Sequence, residues 1–267
     1  MRPYQLQGLK TPDKPAIIMS SGAQVTHAEL ECLVNQREHA LRACGLVTGD
    51  RFAFQIENSI EFLATALGGL RSGLVVVPLS TLLTPREVGV IVEDSGARLL
   101  IVSPKLGHDF EEIRKTVKLE RMFTLGAATD GYESWPALCD AQPTGPLDSE
   151  SPGREMLYSS GTTGRPKGIV YDGLGDRIPG GVSETVMEVA AMFGLSDQTV
   201  YLCPAPLYHS APYAWGIAVL RLGGTLVVME KFDAERALQL IEKLRIDTVQ
   251  FVPTHFVRML KLPDERR

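Results

Sequence analysis

Residues 51–117 switch repeatedly between two hydrophobic periods, and this alternation constrains the fold more than any other property of the chain. Runs rich in β-branched and aromatic residues at 51–56, 74–78 and 98–102 suit strands. Between and after them, 60–71, the segment opened by Thr84-Pro85-Arg86-Glu87 and 109–117 suit helices. The second of these starts with a capping box and a proline at the first helical position. Strand and helix in turn predict an α/β fold, an open and largely parallel sheet with helices on its faces. Ligands of such sheets collect at the carboxyl ends of the strands.

The flanking regions continue the pattern. Residues 16–19 and 24–26 surround Ser21-Gly22 and read as a small hairpin, after which Thr26 and Glu29 cap a helix running to Gly45. Asn58 is expected to N-cap the helix at 60–71. From 126 to 153 Gly, Pro, Asp, Ser and Thr accumulate, which predicts a long surface connection with one short helix at 134–140. A second irregular piece spans 172–181. Helices are then expected at 183–193 and 212–222, strands at 199–203 and 225–229, a helix capped by Asp233 and running to Leu244, and a last strand at 248–252.

Composition narrows the function. The chain has 267 residues, 44% hydrophobic and 22% charged, enough apolar mass for one large or two ordinary domains. A net charge of −5 disfavours nucleic acid or an anionic membrane as a partner, while leaving room for one local basic pocket. The most apolar stretch, 213–229, is interrupted by Arg221 and Gly223-Gly224, so no membrane span is expected. Cys32, Cys44, Cys139 and Cys203 have no metal-ligand or redox spacing and read as reduced core thiols of a cytoplasmic protein. The N-terminus lacks the apolar core of a secretory signal. Assembly into a homo-oligomer is compatible with all of this.

One segment carries chemistry. Tyr158-Ser159-Ser160-Gly161-Thr162-Thr163-Gly164-Arg165-Pro166-Lys167-Gly168 lies between two apolar runs. Its glycines let backbone amides face a ligand, its hydroxyls add donors, and Lys167 adds a full positive charge, which together make a phosphate grip. A plain Gly/Ser/Thr surface loop is the bland alternative. The Walker A pattern requires Gly before the lysine and Ser or Thr after it, and here Pro166 and Gly168 occupy those places. The residues that follow, Ile169, Val170 and Tyr171, read as a strand, so the loop is expected to join two strands.

This motif resembles the signature loop of the adenylate-forming superfamily, in the branch of acyl-CoA synthetases and fatty-acyl-CoA ligases, and the resemblance extends over essentially the whole chain. It implies two interleaved α/β subdomains, 1–49 with 195–267 and 50–194, and the activation of a carboxylic acid, fatty or aromatic, with ATP and Mg²⁺ before transfer to coenzyme A. It further implies that Ser159, Ser160, Gly161, Thr162, Thr163, Gly164 and Lys167 hold the β- and γ-phosphates, with Lys167 catalytic and Thr162 helping to hold Mg²⁺. Pro206-Leu207-Tyr208-His209-Ser210-Ala211-Pro212 is similar to the segment that places an aromatic or His residue beside the bound carboxylate, giving His209 a catalytic role and Tyr208 a substrate contact. Tyr213 and Trp215 would line an acyl pocket, and Thr254 belongs to a third substrate-facing segment. Each of these also reads as ordinary packing.

The family places a magnesium-binding Glu, a ribose-binding Asp, a hinge and a lysine-bearing C-terminal domain further downstream. The chain is therefore expected to be an N-terminal portion, inactive by itself. A peptide-synthetase-type adenylation domain, another P-loop phosphotransferase and a non-catalytic half-domain remain as alternatives.

Overall fold

The computed structural model describes residues 7–119, 121–148, 151–159, 167–170 and 184–266. The chain divides into two compact units, one of residues 1–4, 31–57 and 61–185, the other of 5–30, 58–60 and 186–267.

In chain order the elements are β1 (Pro15–Met19), β2 (Gln24–Thr26), α1 (His27–Ala43), β3 (Arg51–Gln55), α2 (Ile60–Arg71), β4 (Val75–Pro78), α3 (Pro85–Ser95), β5 (Leu99–Val102) and α4 (Phe110–Thr116). There follow β6 (Arg121–Thr124), β7 (Glu133–Ser134), α5 (Trp135–Asp140), β8 (Arg154–Ser159), β9 (Lys167–Val170) and α6 (Glu184–Met192). The last are β10 (Val200–Cys203), α7 (Ser210–Leu222), β11 (Thr225–Val228), α8 (Ala234–Leu244), β12 (Thr248–Val249) and α9 (Pro253–Leu260).

The first unit is built on a sheet of order β7-β6-β5-β3-β4-β8-β9, parallel throughout except for the antiparallel β8–β9 pair. Every residue of β4 and β5 is buried, as parallel strands covered on both faces must be. Helix α2 is apolar nearly all round, and its backbone packs directly on the strands. A Cβ at Gly69 would lie 2.4 Å from Phe52 Cε1 and 2.9 Å from Val76 Cγ2. Both reciprocal bonds of the capping box on α3 are present between Thr84 and Glu87, and Gly96 ends the helix in the left-handed conformation at φ 66°. Trp135 is fully buried, lies edge-on to Phe123 and donates through Nε1 to Glu61 Oε1 at 2.9 Å.

Charge is buried as well. Arg71, the last residue of α2, bonds Glu31 Oε1 at 2.9 Å and Asn35 Oδ1 at 2.9 Å, and its Nε lies 3.1 Å from Glu38 Oε1. Glu31, Asn35 and Glu38 stand at helical spacing along one stripe of α1.

The second unit is built on a sheet of order β12-β10-β11-β1-β2, parallel except for the β1–β2 hairpin. Its core gathers Leu202, Val227, Phe232, Leu240 and Met259. Asp233 caps α8 by accepting from the Arg236 amide at 2.8 Å.

The sequence expectations need four corrections. The strand expected over 248–252 ends at Val249, and Pro253 then opens α9, its ring supplying the first-turn geometry of a helix. Strands β6 and β7 lie where no strand was expected. Asn58 does not sit at the N-cap of α2, because the helix begins at Ile60 and Ser59 occupies that position. Cys32 is exposed rather than a core thiol, although Cys139 and Cys203 are buried, and all four cysteines are free. The irregular segment expected over 172–181 lies outside the described residues.

Candidate functional site

The segment rich in Gly, Ser and Thr is flanked by two paired strands. β8 runs parallel to β4 and leaves the sheet at the carboxyl ends of the strands, and β9 returns antiparallel beside it. The register pairs Met156 with Val170, Leu157 with Ile169, Tyr158 with Gly168 and Ser159 with Lys167. Ser159 and Lys167 are therefore Cα partners at the base of the connecting residues. Ser160, Gly161, Thr162, Thr163 and Gly164 lie outside the described residues. Lys167 opens a strand and not a helix, so no helix N-terminus follows the lysine as it would in a Walker loop. Its side chain is exposed and has no ion-pair partner among the described residues. An exposed ammonium at the end of a segment rich in Gly, Ser and Thr supplies the positive charge that a phosphate requires.

The other expected residues belong to the second unit. Between the end of β10 and the start of α7, the chain turns at Pro206, whose carbonyl accepts from the His209 amide at 3.2 Å. His209 stands at the N-cap position of α7 but makes no side-chain capping bond, which leaves its imidazole uncommitted to the helix. Desolvation holds the His209 pKa below its ordinary value, so the ring is neutral at pH 7. Its centroid lies 4.7 Å from that of the buried Tyr208 ring.

Asn58 fastens this turn, a role that sequence reasoning missed. Its Nδ2 donates to Ala205 O at 3.0 Å and to Met229 O at 2.8 Å, and its Oδ1 accepts from the Leu207 amide at 2.8 Å. One carboxamide thus ties the Tyr208 and His209 turn to the end of β11. The polar character of Asn58 was visible in sequence, but its partners lie 147 to 171 residues away, and no local pattern points to them.

The structure does not group the remaining residues in one place. Tyr213 is buried, whereas Trp215 is half-buried and packs between Phe193, at 5.2 Å, and Tyr201, at 6.2 Å. Two residues apart on α7, their side chains diverge by about 200° around the helix. Thr254 is exposed in the first turn of α9. Because β12 lies parallel beside β10, the segments leading to His209 and to Thr254 leave the same edge of the sheet, and Tyr201 Oη donates to Gln250 Oε1 at 3.0 Å across that edge. Among the described residues no Thr254 side-chain bond joins the two segments, and no cluster of His, Cys, Asp and Glu could hold a metal ion. Thr162, the expected Mg²⁺ contact, lies outside the described residues. Ser159 and Lys167 belong to the first unit; Tyr208, His209, Tyr213, Trp215 and Thr254 belong to the second.

Comparison with known proteins agrees with this fold and loop. The family model described as AMP-binding enzyme matches residues 4–267. The fatty acid–[acyl-carrier-protein] ligase ScoC of Streptomyces coeruleorubidus is 31% identical over 258 residues, which are 94% of this chain and 47% of that protein. The 3-hydroxybenzoate–CoA ligase of Aromatoleum sp. (strain CIB) is 36% identical over 177 residues, 63% of this chain and 32% of its own. Among solved structures, ATP-bound MatB from Rhodopseudomonas palustris superposes with a TM-score of 0.78 at 26% identity, covering 94% of this chain and 49% of that one. The chain spans about half the length, or less, of these relatives. With two largely parallel sheets flanked by helices, and a strand-flanked Gly/Ser/Thr loop closed by Lys167, this chain belongs to the AMP-binding enzyme family, whose matched members include acyl-CoA and acyl-carrier-protein ligases.

Proposed function

We propose that this chain is the phosphate-gripping and acyl-binding part of an ATP-dependent acid–thiol ligase that acts in the cytoplasm on a fatty or aromatic acid. The observation that carries the proposal is the β8–β9 register, which sets Lys167 and Ser159 side by side at the base of the loop. In the reaction a carboxylate oxygen attacks the α-phosphorus of ATP, the bond to the β-phosphate oxygen breaks, and acyl-adenylate and pyrophosphate form. A thiol then attacks the acyl carbonyl and AMP leaves. Repulsion between the two anions is the main obstacle in the first step, and fixed cations and donors reduce it. Lys167, the hydroxyls of Ser159, Ser160, Thr162 and Thr163 and the amides of Gly161 and Gly164 would neutralise the departing pyrophosphate, with Thr162 contributing to Mg²⁺. His209, neutral at pH 7, would lie beside the substrate carboxylate without adding a charge, accompanied by Tyr208. Tyr213, Trp215 and Thr254 would contact the acyl group. Coenzyme A is the proposed acceptor; the relatives named above divide between CoA and an acyl carrier protein.

The test is calorimetric titration of the chain with pyrophosphate and with MgATP, followed by acid-dependent exchange of pyrophosphate into ATP across a panel of fatty and aromatic acids. The exchange is run on this chain, which is expected to show none alone, and on a version extended to the length of its relatives, which is expected to show it. Lys167→Ala is expected to weaken pyrophosphate binding at least tenfold. Unchanged binding by that variant, or transfer of the γ-phosphate to an acceptor, would rule the proposal out.

A further inference from the structure

Tyr158 pairs with Gly168 across the hairpin, one step from the Ser159–Lys167 pair. A glycine inside a strand weakens the ladder unless something packs close to its bare Cα. Here two side chains of β8 close over it: a Cβ at Gly168 would lie 2.3 Å from Met156 Cε, 2.8 Å from Tyr158 Cζ and 2.9 Å from Tyr158 Oη. The phenol packs against the apolar core of the first unit. Its Oη donates to Asp94 Oδ2 at 2.6 Å, reaching α3 across 64 residues of sequence. Desolvation, reinforced by the bond to Asp94, raises the phenol pKa, so the donor stays protonated at any physiological pH.

We propose that Tyr158, Gly168 and Asp94 form a latch that fixes the register of β8 and β9 and thereby positions Ser159 and Lys167 for phosphate. The positioning role rests on the phosphate-binding reading above; the latch itself does not. A slip of one residue would place the Cβ of Lys167 or Ile169 beneath the phenol, where Gly168 alone has room, and would turn the Lys167 ammonium to the opposite face. Tyr158 and Asp94 are positioning residues that act through the backbone of β9, and they do not touch the phosphate.

The experiment uses this chain with Tyr158→Phe, Gly168→Ala, Asp94→Ala and Asp94→Asn, and reads hydrogen exchange of the β8 and β9 amides together with pyrophosphate affinity. Tyr158→Phe and Asp94→Ala each remove the bond to Asp94 and are expected to speed exchange in the hairpin about 5- to 10-fold, leaving other strands unchanged, and to weaken pyrophosphate binding by a similar factor. Gly168→Ala, which pushes the phenol aside, is expected to do the same. Asp94→Asn retains an acceptor and should stay within about twofold of the native chain. A general loss of stability cannot imitate this result at Asp94. A carboxylate in the last turn of α3 opposes the helix dipole, and alanine is the better helix former there. Native exchange rates in both Tyr158→Phe and Asp94→Ala would overturn the latch. Faster exchange with unaltered pyrophosphate affinity would overturn the positioning role. Failure of the native chain to bind pyrophosphate would remove the phosphate-binding reading and the positioning role with it, while the exchange rates still decide the latch.

Discussion

Replacing Arg71 with alanine should be among the most damaging single changes in the first unit. The side chain is 1% exposed and meets Glu31, Glu38 and Asn35, and Glu38 is itself fully buried. Alanine leaves two carboxylates and an amide without their guanidinium partner in a site where Glu38 is fully buried and the Glu31 side chain only 10% exposed. Removing one member of a buried ion pair costs about 3–5 kcal/mol, far more than the pair contributes when intact. The assay is urea unfolding followed by fluorescence in a Trp215→Phe background. Trp135, buried in the same unit as Arg71, then reports alone, since the chain has 2 tryptophans. The loss should shrink as pH falls toward the carboxylate range. A buried glutamate without its cation takes up a proton more readily folded than unfolded, so the variant gains stability with acid. A triple variant, Arg71→Met with Glu31→Leu and Glu38→Leu, should recover much of the loss, because apolar replacement of a whole buried ionic cluster is often neutral. If Arg71→Ala lies within about 1 kcal/mol of the native chain, the buried-charge reasoning fails.

Three further outcomes are expected. Thr84→Ala should cost about 1 kcal/mol by removing the α3 cap, measured by denaturant titration. The hydrogen bonds from Thr84 depress the Glu87 pKa, so the carboxylate part of this stabilisation is present above the ordinary value of 4.5 and is lost as pH falls through the lower folded value; the gap between variant and native chain should narrow there. Asn58→Ala should cost about 2–3 kcal/mol, because it strands the Leu207 amide and two carbonyls, and amide exchange at Leu207 should rise well above that of the neighbouring strands. Desolvation lowers the His27 pKa although its ring bonds Gly224 O at 3.1 Å, so acid below the ordinary value of 6.5 should destabilise the second unit; an NMR titration of the imidazole should show a midpoint below 6.5.

What could be read from sequence was what local chemistry determines. The helix at 60–71 was placed to the residue, and the boxes at Thr26 and Thr84 cap α1 and α3 as expected, because a capping box is complete within four residues. That the Gly/Ser/Thr segment joins two strands was legible from the apolar run Met156-Leu157-Tyr158 before it and the β-branched Ile169 and Val170 after it, whereas the antiparallel pairing of those strands was not. Strand β6 was not, since Arg121-Met122-Phe123-Thr124 is short and takes its identity from pairing with β5. At Phe251-Val252-Pro253 two signals competed, and helix initiation by proline prevailed over the strand preference before it. In the candidate site, the hydrogen bonds of Asn58 and the bond from Tyr158 to Asp94 were invisible for one reason. Each joins residues that only the completed sheets bring together, and the sequence around each end looks ordinary.

The pairing of β1 with β11 bears on how the protein is made. Ile17 lies opposite Leu226, so the N-terminal hairpin emerges from the ribosome long before the strand that will cover its inner edge. At about 5–20 residues per second that wait lasts roughly 10–40 seconds. During this time Ala16, Ile17 and Met19, all buried in the finished protein, stand on an open strand edge while the segments of the first unit are synthesised and can pack. The order of synthesis thus exposes one apolar edge of β1 to other nascent chains and to chaperones, and slowing translation should lower the soluble yield of this protein more than that of one whose N-terminal strands pair only with neighbours in sequence.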